Sequence, residues 1–285
     1  MHIPLFYLPS DMTRTISFGM PTVGHAISFS SRDEDSDEAA TTEYLDQLQL
    51  GKVYSSKFWT NQDRVTALWW IFIHSRSDAI MTFSYECDHC GDEHYYDLDM
   101  RSISDTIEII DGPAFLDDVS ITVHGKPMVW RIQHLTGEAM ELIEGMRVAL
   151  PEKDEPGYKA ALMDLRFWEI VLQCELNDEI ETDYLTRAQK RYDLLKTMRP
   201  DDEFLKLTAH VKHLQRTLRH GLPVDVQQGA AGLLIPPHTC PATRHKEPAE
   251  QFATPLRVPF RNSNFIPNFG PGWLGDLSQQ PGAFW

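Results

Sequence analysis

Apolar and polar residues alternate on both sides of a short turn, with Met81, Phe83 and Tyr85 before it and Tyr96, Leu98 and Met100 after it. A period of two puts each set on one strand face, so the pattern predicts strand, turn, strand. The first thirty residues carry a similar rhythm: Ile16 and Phe18, then Ile27 and Phe29, separated by Gly19-Met20-Pro21-Thr22-Val23-Gly24, read as a hairpin or a pair of strands. The acidic run Asp33-Glu34-Asp35-Ser36-Asp37-Glu38 lacks the Gly and closing Glu of a calcium loop and suits a helix start, with that helix running to Leu50 and stopping at Gly51. Val65, Leu68, Trp69, Phe72 and Ile73 share one stripe of a second helix, capped by Thr60 three residues before Asp63. Ile107 and Ile109, Ile121 and Val123, and Val129 to Ile132 predict more strands, with a turn at His124-Gly125-Lys126.

From Gly137 the period lengthens to that of helices, expected over 137–149, 158–178, 183–198 and 201–220, with breaks at Pro151, Pro156 and Pro200. Phe167, Val171 and Cys174 fall at helical spacing, which makes Cys174 a core residue. Leu185, Ala188, Tyr192 and Leu195 on one helix, and Phe204, Leu207, Val211, Leu214 and Leu218 on the next, suit an antiparallel helical hairpin. The last helix also carries Lys206, His210, Lys212, His213 and Arg216 as a basic strip. Beyond Gly221, Pro and Gly are too frequent for regular structure to be expected, yet Phe260, Phe265, Phe269, Trp273, Phe284 and Trp285 are spread along the segment. A disordered tail usually lacks large aromatics, so this one is expected to lie on its own domain or on a partner subunit. The fold class is therefore α+β. A β-rich region spans 1–136, a helical region 137–222, and a loop with an extended aromatic tail 223–285.

Composition narrows the function. The chain has 285 residues and a net charge of −16, which opposes general affinity for nucleic-acid backbone or anionic membranes. No apolar run is long enough for a bilayer, and Met1-His2-Ile3-Pro4 lacks the charged start of a signal peptide, so synthesis in a cytosol is expected. Four cysteines in a chain this long do not suggest a disulfide framework.

Two of those cysteines carry the most specific signal. Tyr85-Glu86-Cys87-Asp88-His89-Cys90-Gly91 is a C-x2-C-G knuckle, in which two thiolates on a tight turn chelate one face of a tetrahedral Zn²⁺. The other half is expected from His238-Thr239-Cys240-Pro241-Ala242-Thr243-Arg244-His245, giving a structural zinc held by Cys87, Cys90, Cys240 and His245, with His238 as the alternative to His245. A redox C-x2-C should open a helix, whereas strands flank this one. A deaminase would need H-x-E and P-C-x-x-C, and here Glu86 precedes Cys87. No G-x-S-x-G, phosphate loop, dinucleotide fingerprint or H-E-x-x-H occurs, and Asp97 and Asp99 read as the wet side of a strand. The chain is accordingly expected not to be an enzyme. A zinc-ribbon adaptor for nucleic acid or a nucleoprotein is the alternative, although Glu86, Asp88, Asp92 and Glu93 make the knuckle acidic. A metal-dependent hydrolase, which needs an open metal position, comes third.

The order of features resembles the T4-type bacteriophage baseplate hub assembly proteins. The residues that carry the likeness are Cys87, Cys90, Asp97, Leu98, Asp99, Leu135, Thr136, Gly137, Cys240, Pro259 and Phe260, within a span from about Pro21 to Phe269. The resemblance implies a structural component or assembly factor of the tail baseplate, located in the virion. Its expected partners are other tail or baseplate proteins and, in one arrangement, copies of itself. Where the family pattern has a second cysteine pair, this chain has Cys240 with His238 or His245 nearby.

Overall fold

The computed structural model describes residues 2–267, apart from 31, 33, 228, 229 and 260. The fold is mixed α and β, with small antiparallel sheets and a helical second half. Its buried side chains form two cores.

The first core begins with a hairpin of β1 (Phe6–Leu8) and β2 (Asp11–Ile16). The expected strand at Ile27 and Phe29 is instead helix α1 (Val23–Phe29). The Thr22 side chain accepts from the His25 amide and the His25 ring from the Thr22 amide, a capping box that overrides the short alternation. Helix α2 (Asp37–Leu48) and helix α3 (Asn61–Ser75) follow, the latter capped by Thr60, whose hydroxyl accepts from the Asp63 amide at 3.1 Å. Strands β3 (Ile80–Glu86) and β4 (Glu93–Asp99) then pair in unbroken register from Ile80 opposite Asp99 to Glu86 opposite Glu93. The expected strand at Ile107 and Ile109 reduces to one bridge between Glu108 and Gly221.

The second core starts with β5 (Phe115–Val123) and β6 (Lys126–Gln133), joined at His124-Gly125. Helix α4 (Gly137–Val148) and helix α5 (Tyr158–Val171) come next, and α5 is shorter than its periodicity implied. Cys174 lies on strand β7 (Cys174–Leu176), which adds to the sheet beside β6 with Cys174 opposite Ile132. Cys174 is still a core residue, fully buried. Helix α6 (Tyr184–Lys196) packs on α5, whereas α7 (Leu205–Thr217), led by a π-helical turn over Pro200–Phe204, packs on β5 and β6. The sheet takes the apolar stripe of α7 that a helical hairpin with α6 would have used.

After Gly221 the chain rejoins the first core. Contrary to expectation its described part contains regular structure: β8 (Val224–Gln227), β9 (Ala230–Thr239) and β10 (Ala253–Pro259) form a sheet with β9 in the middle. Proline is tolerated there because the β9/β10 register shifts between Thr254 and Leu256, opposite Pro236 and Pro237, where no ladder donor is required. Phe265 and Ile266 are buried in the first core, Phe265 against Phe72 at 5.1 Å between ring centroids. The amides of Asn262 and Ser263 donate to Asp37 at 3.0 and 2.9 Å. Phe260, Phe269, Trp273, Phe284 and Trp285 of the expected tail lie outside the described residues.

The buried side chains thus group differently from the expected segments 1–136, 137–222 and 223–285. The first core draws on residues from Ile3 to Ile103 and again from Leu222 to Ile266, while Val119 to Leu214 fill the second. The second unit is inserted in the first, and the chain leaves and returns side by side: the Glu108 amide donates to Gly221 at 3.1 Å and the Gly221 amide donates back at 2.6 Å.

Polar contacts join the two units. The Glu144 carboxylate on α4 accepts from the Glu38 amide at 2.9 Å at the start of α2, and within the first unit fully buried Arg64 binds the Glu38 carboxylate at 2.9 Å. His134 Nε2 and His220 Nδ1 lie 2.9 and 2.8 Å from the Leu218 carbonyl, which only accepts, so both nitrogens carry hydrogen. The other nitrogen of His134 then accepts from Gln62 at 3.0 Å, and that of His220 lies 2.7 Å from the Thr60 hydroxyl. Burial, with the neighbouring His220, pulls the His134 pKa down to about 4.

Candidate metal centre

The β3–β4 hairpin aims one half-buried face at the first core, and on β4 that face carries His94, Tyr96 and Leu98. At its tip the Cys87 amide donates to the Asp92 carbonyl at 3.0 Å and the Gly91 amide to the Cys87 carbonyl at 2.8 Å. Gly91 closes this turn at φ +74°, a left-handed conformation that favours glycine. The knuckle aims main-chain amides at its own sulfurs. Those of Cys90 and His89 pull the Cys87 thiol down to about 6 against the cost of burial. At Cys90 the amide of Asp92 acts in the same sense, but burial and the neighbouring Cys87 and Cys240 thiols outweigh it and push the group up to about 11.

Cys240 arrives from the far end of the chain. It follows β9, its amide donates to the Phe252 carbonyl at 2.7 Å, and its carbonyl accepts from the Thr243 amide at 2.9 Å. This tight loop leaves its side chain fully buried beside the knuckle, with Cys240 Sγ 3.8 Å from Cys90 Sγ. His94 Nε2 lies 3.2 Å from Cys90 Sγ. The sulfurs of Cys87, Cys90 and Cys240 and a ring nitrogen of His94 all fall within 4.8 Å of one another, a set that can hold a metal ion. A tetrahedron with Zn–S bonds of about 2.3 Å has S···S edges of about 3.8 Å, the separation between Cys90 and Cys240.

The structure therefore brings together three of the four expected ligands, and the imidazole beside them belongs to His94. His245 is exposed and outside the group. His238 is buried but both its nitrogens are engaged: Nε2 accepts from the Arg244 guanidinium at 2.6 Å and Nδ1 meets the Tyr85 hydroxyl at 2.7 Å, while the ring stacks on Tyr96 at 4.4 Å. Burial and the Arg244 charge lower its pKa, which keeps it neutral. His238 thus supports the hairpin from behind. Sequence reasoning missed His94, although the alternation of Tyr96 and Leu98, carried back two residues and across the register opposite Tyr85, puts it on the same face.

Other expected assignments fit the polar surface. Asp97 is exposed and accepts from the Thr82 hydroxyl at 2.6 Å, and Asp99 caps the following 3-10 turn through the Arg101 amide. Glu86, Asp88, Asp92 and Glu93 are all exposed around the knuckle. Among the described residues, no helix is long and apolar enough to cross a membrane. Comparison of the chain with protein-family models, curated proteins and solved structures gives no match.

Proposed function

We propose that this chain is a non-enzymatic component or assembly factor of a bacteriophage tail baseplate, acting through protein contacts, with one structural zinc held by Cys87, Cys90, His94 and Cys240. The observation behind the zinc is that four soft or borderline donors converge within 4.8 Å from a hairpin and a loop far apart in sequence. Three thiolates and an imidazole favour zinc over hard cations, and four protein donors leave no position open for a metal-bound water. This argues for stabilisation and against hydrolysis. Bound zinc would fasten the β3–β4 hairpin, paired with no other strand among the described residues, to the β8–β10 sheet.

The baseplate role rests on the resemblance carried by the knuckle, the Asp97-Leu98-Asp99 strand, the Leu135-Thr136-Gly137 helix start and Cys240. The acidic rim of the knuckle speaks against the nucleic-acid alternative, because a phosphate backbone requires cations there. The test is isolation of the tagged chain from infected cells. Tail or baseplate proteins should accompany it, and particles made without it should lack normal baseplates. Robust zinc-dependent hydrolysis of a phosphoester or amide would overturn this reading.

A further inference from the structure

Where the two cores meet, a cleft of about 750 Å³ opens between the β2 strand and the segment 109–115 leading into β5. Its floor includes Trp59, Thr60, Asp63 and His134. The polar groups of that floor are already engaged. The Asp63 carboxylate accepts from the amide of Ser10 at 3.0 Å and from its hydroxyl, Thr60 serves the His220 ring and the Asp63 amide, and His134 bridges Gln62 and the Leu218 carbonyl. What the cleft offers a ligand is its rim.

The rim has three components. Met12, Phe58 and Ile109 are exposed large apolar residues at 42%, 61% and 59%, and all three line the cleft. Tyr54 extends this wall, with the Arg14 guanidinium carbon lying 4.0 Å from its ring centroid. The rim carboxylates are Asp11, which also faces Arg14 at 3.7 Å, and Asp111, on a chain of net charge −16. The main chain is the third component: β2 pairs with β1 alone in its sheet, which leaves its other edge without a strand among the described residues. Extended peptides bind by adding to such an edge, with alternate side chains entering flanking pockets.

We propose that this cleft binds an extended segment of a partner protein that presents an Arg or Lys side chain between apolar residues. The segment lies along β2, its apolar side chains cover Met12, Phe58 and Ile109, and its cation meets the Asp11 and Asp111 carboxylates. The inference deepens the reading of the chain as a protein-binding factor and rests on it. Long-range attraction between the acidic protein and a basic segment would speed the encounter.

The probe is a set of short fluorescent peptides with the same apolar flanks and Arg, Lys, Ala or Glu at the centre, titrated against the full-length chain. The Arg and Lys peptides should bind at least about tenfold more tightly than the Ala peptide and more tightly still than the Glu peptide. F58S and D111N, both at exposed positions, should each weaken the basic peptides about fivefold or more without changing the melting temperature. Equal binding of the Glu peptide, undiminished binding by F58S and D111N, or no binding of any peptide would overturn the proposal. Co-purification separates this outcome from the functional reading. If both variants still capture tail proteins at wild-type levels, the cleft proposal falls and the baseplate role stands. If basic peptides bind as described but no tail protein accompanies the wild-type chain, the baseplate role falls and the cleft stands.

Discussion

Cys240 Sγ stands 3.8 Å from Cys90 Sγ although 150 positions separate the two in sequence. Between them the chain completes the second core and returns, so the thiol contact joins the two ends of the first core. Two features make it possible: a hairpin whose tip is turned by Gly91, and a strand, β9, that delivers Cys240 at its end.

The fourth ligand is the sharpest local test. His94→Ala should weaken zinc binding at least about 100-fold, since loss of outer-shell partners alone costs about 10–100-fold. His245→Ala should leave affinity unchanged, because that residue is exposed and outside the cluster. Competition with a chromophoric chelator measures both; a larger effect at His245 would reverse the assignment.

Acid should loosen the junction between the units through His134. Its pKa is about 4 in the fold against 6.5 for the free side chain, so the unfolded chain binds the extra proton first as pH falls. The neutral buried form therefore carries no penalty above pH 6.5, and stability is lost progressively between 6.5 and 4. The loss is about 3 kcal/mol when complete, at roughly 1.4 kcal/mol per pKa unit. Protonation of thiolates at the proposed zinc site would also destabilise in acid, so the informative quantity is the difference between the wild type and His134→Gln. Urea unfolding at several pH values should show a shallower decline for His134→Gln; parallel declines would contradict the assignment.

Gly221 marks the point where the chain returns to the first core. Its φ is +74°, and a Cβ there would lie 2.5 Å from Thr66 Oγ1 and 2.9 Å from the Gln62 carbonyl oxygen. Gly221→Ala should cost about 2–5 kcal/mol, combining left-handed strain with overpacking. Gly91→Ala has the same φ but open space around the added carbon, and should cost only about 1–2 kcal/mol. Denaturant midpoints of the two variants test the contrast.

Much of the scaffold was legible because its signals are local. The Thr60 cap, the strand pair around the knuckle and the helix starts at Gly137 and Tyr184 follow from spacing and capping chemistry alone. The errors lie where long-range pairing wins. Cys174 sits at helical spacing, yet Ile132 draws it into a sheet. The Pro-rich stretch after Gly221 becomes β9 because the bulge opposite Pro236 and Pro237 removes the need for their missing donors. Nesting of the second unit inside the first depends on the Glu108 and Gly221 bridge, a contact between segments that share no sequence signal. At the metal centre the three thiols could be read from scarcity and spacing, but choosing among the histidines required knowing that both His238 nitrogens are held by Arg244 and Tyr85 while His94 Nε2 faces Cys90.

The central claim is that one zinc spans the hairpin and the C-terminal sheet. It is tested most directly by the zinc content of the purified full-length chain beside that of Cys240→Ser. The account expects about one zinc per wild-type chain and its loss in Cys240→Ser, because three donors from the hairpin alone make an incomplete site. A stably folded wild-type chain without metal, or full zinc occupancy in Cys240→Ser, would contradict it.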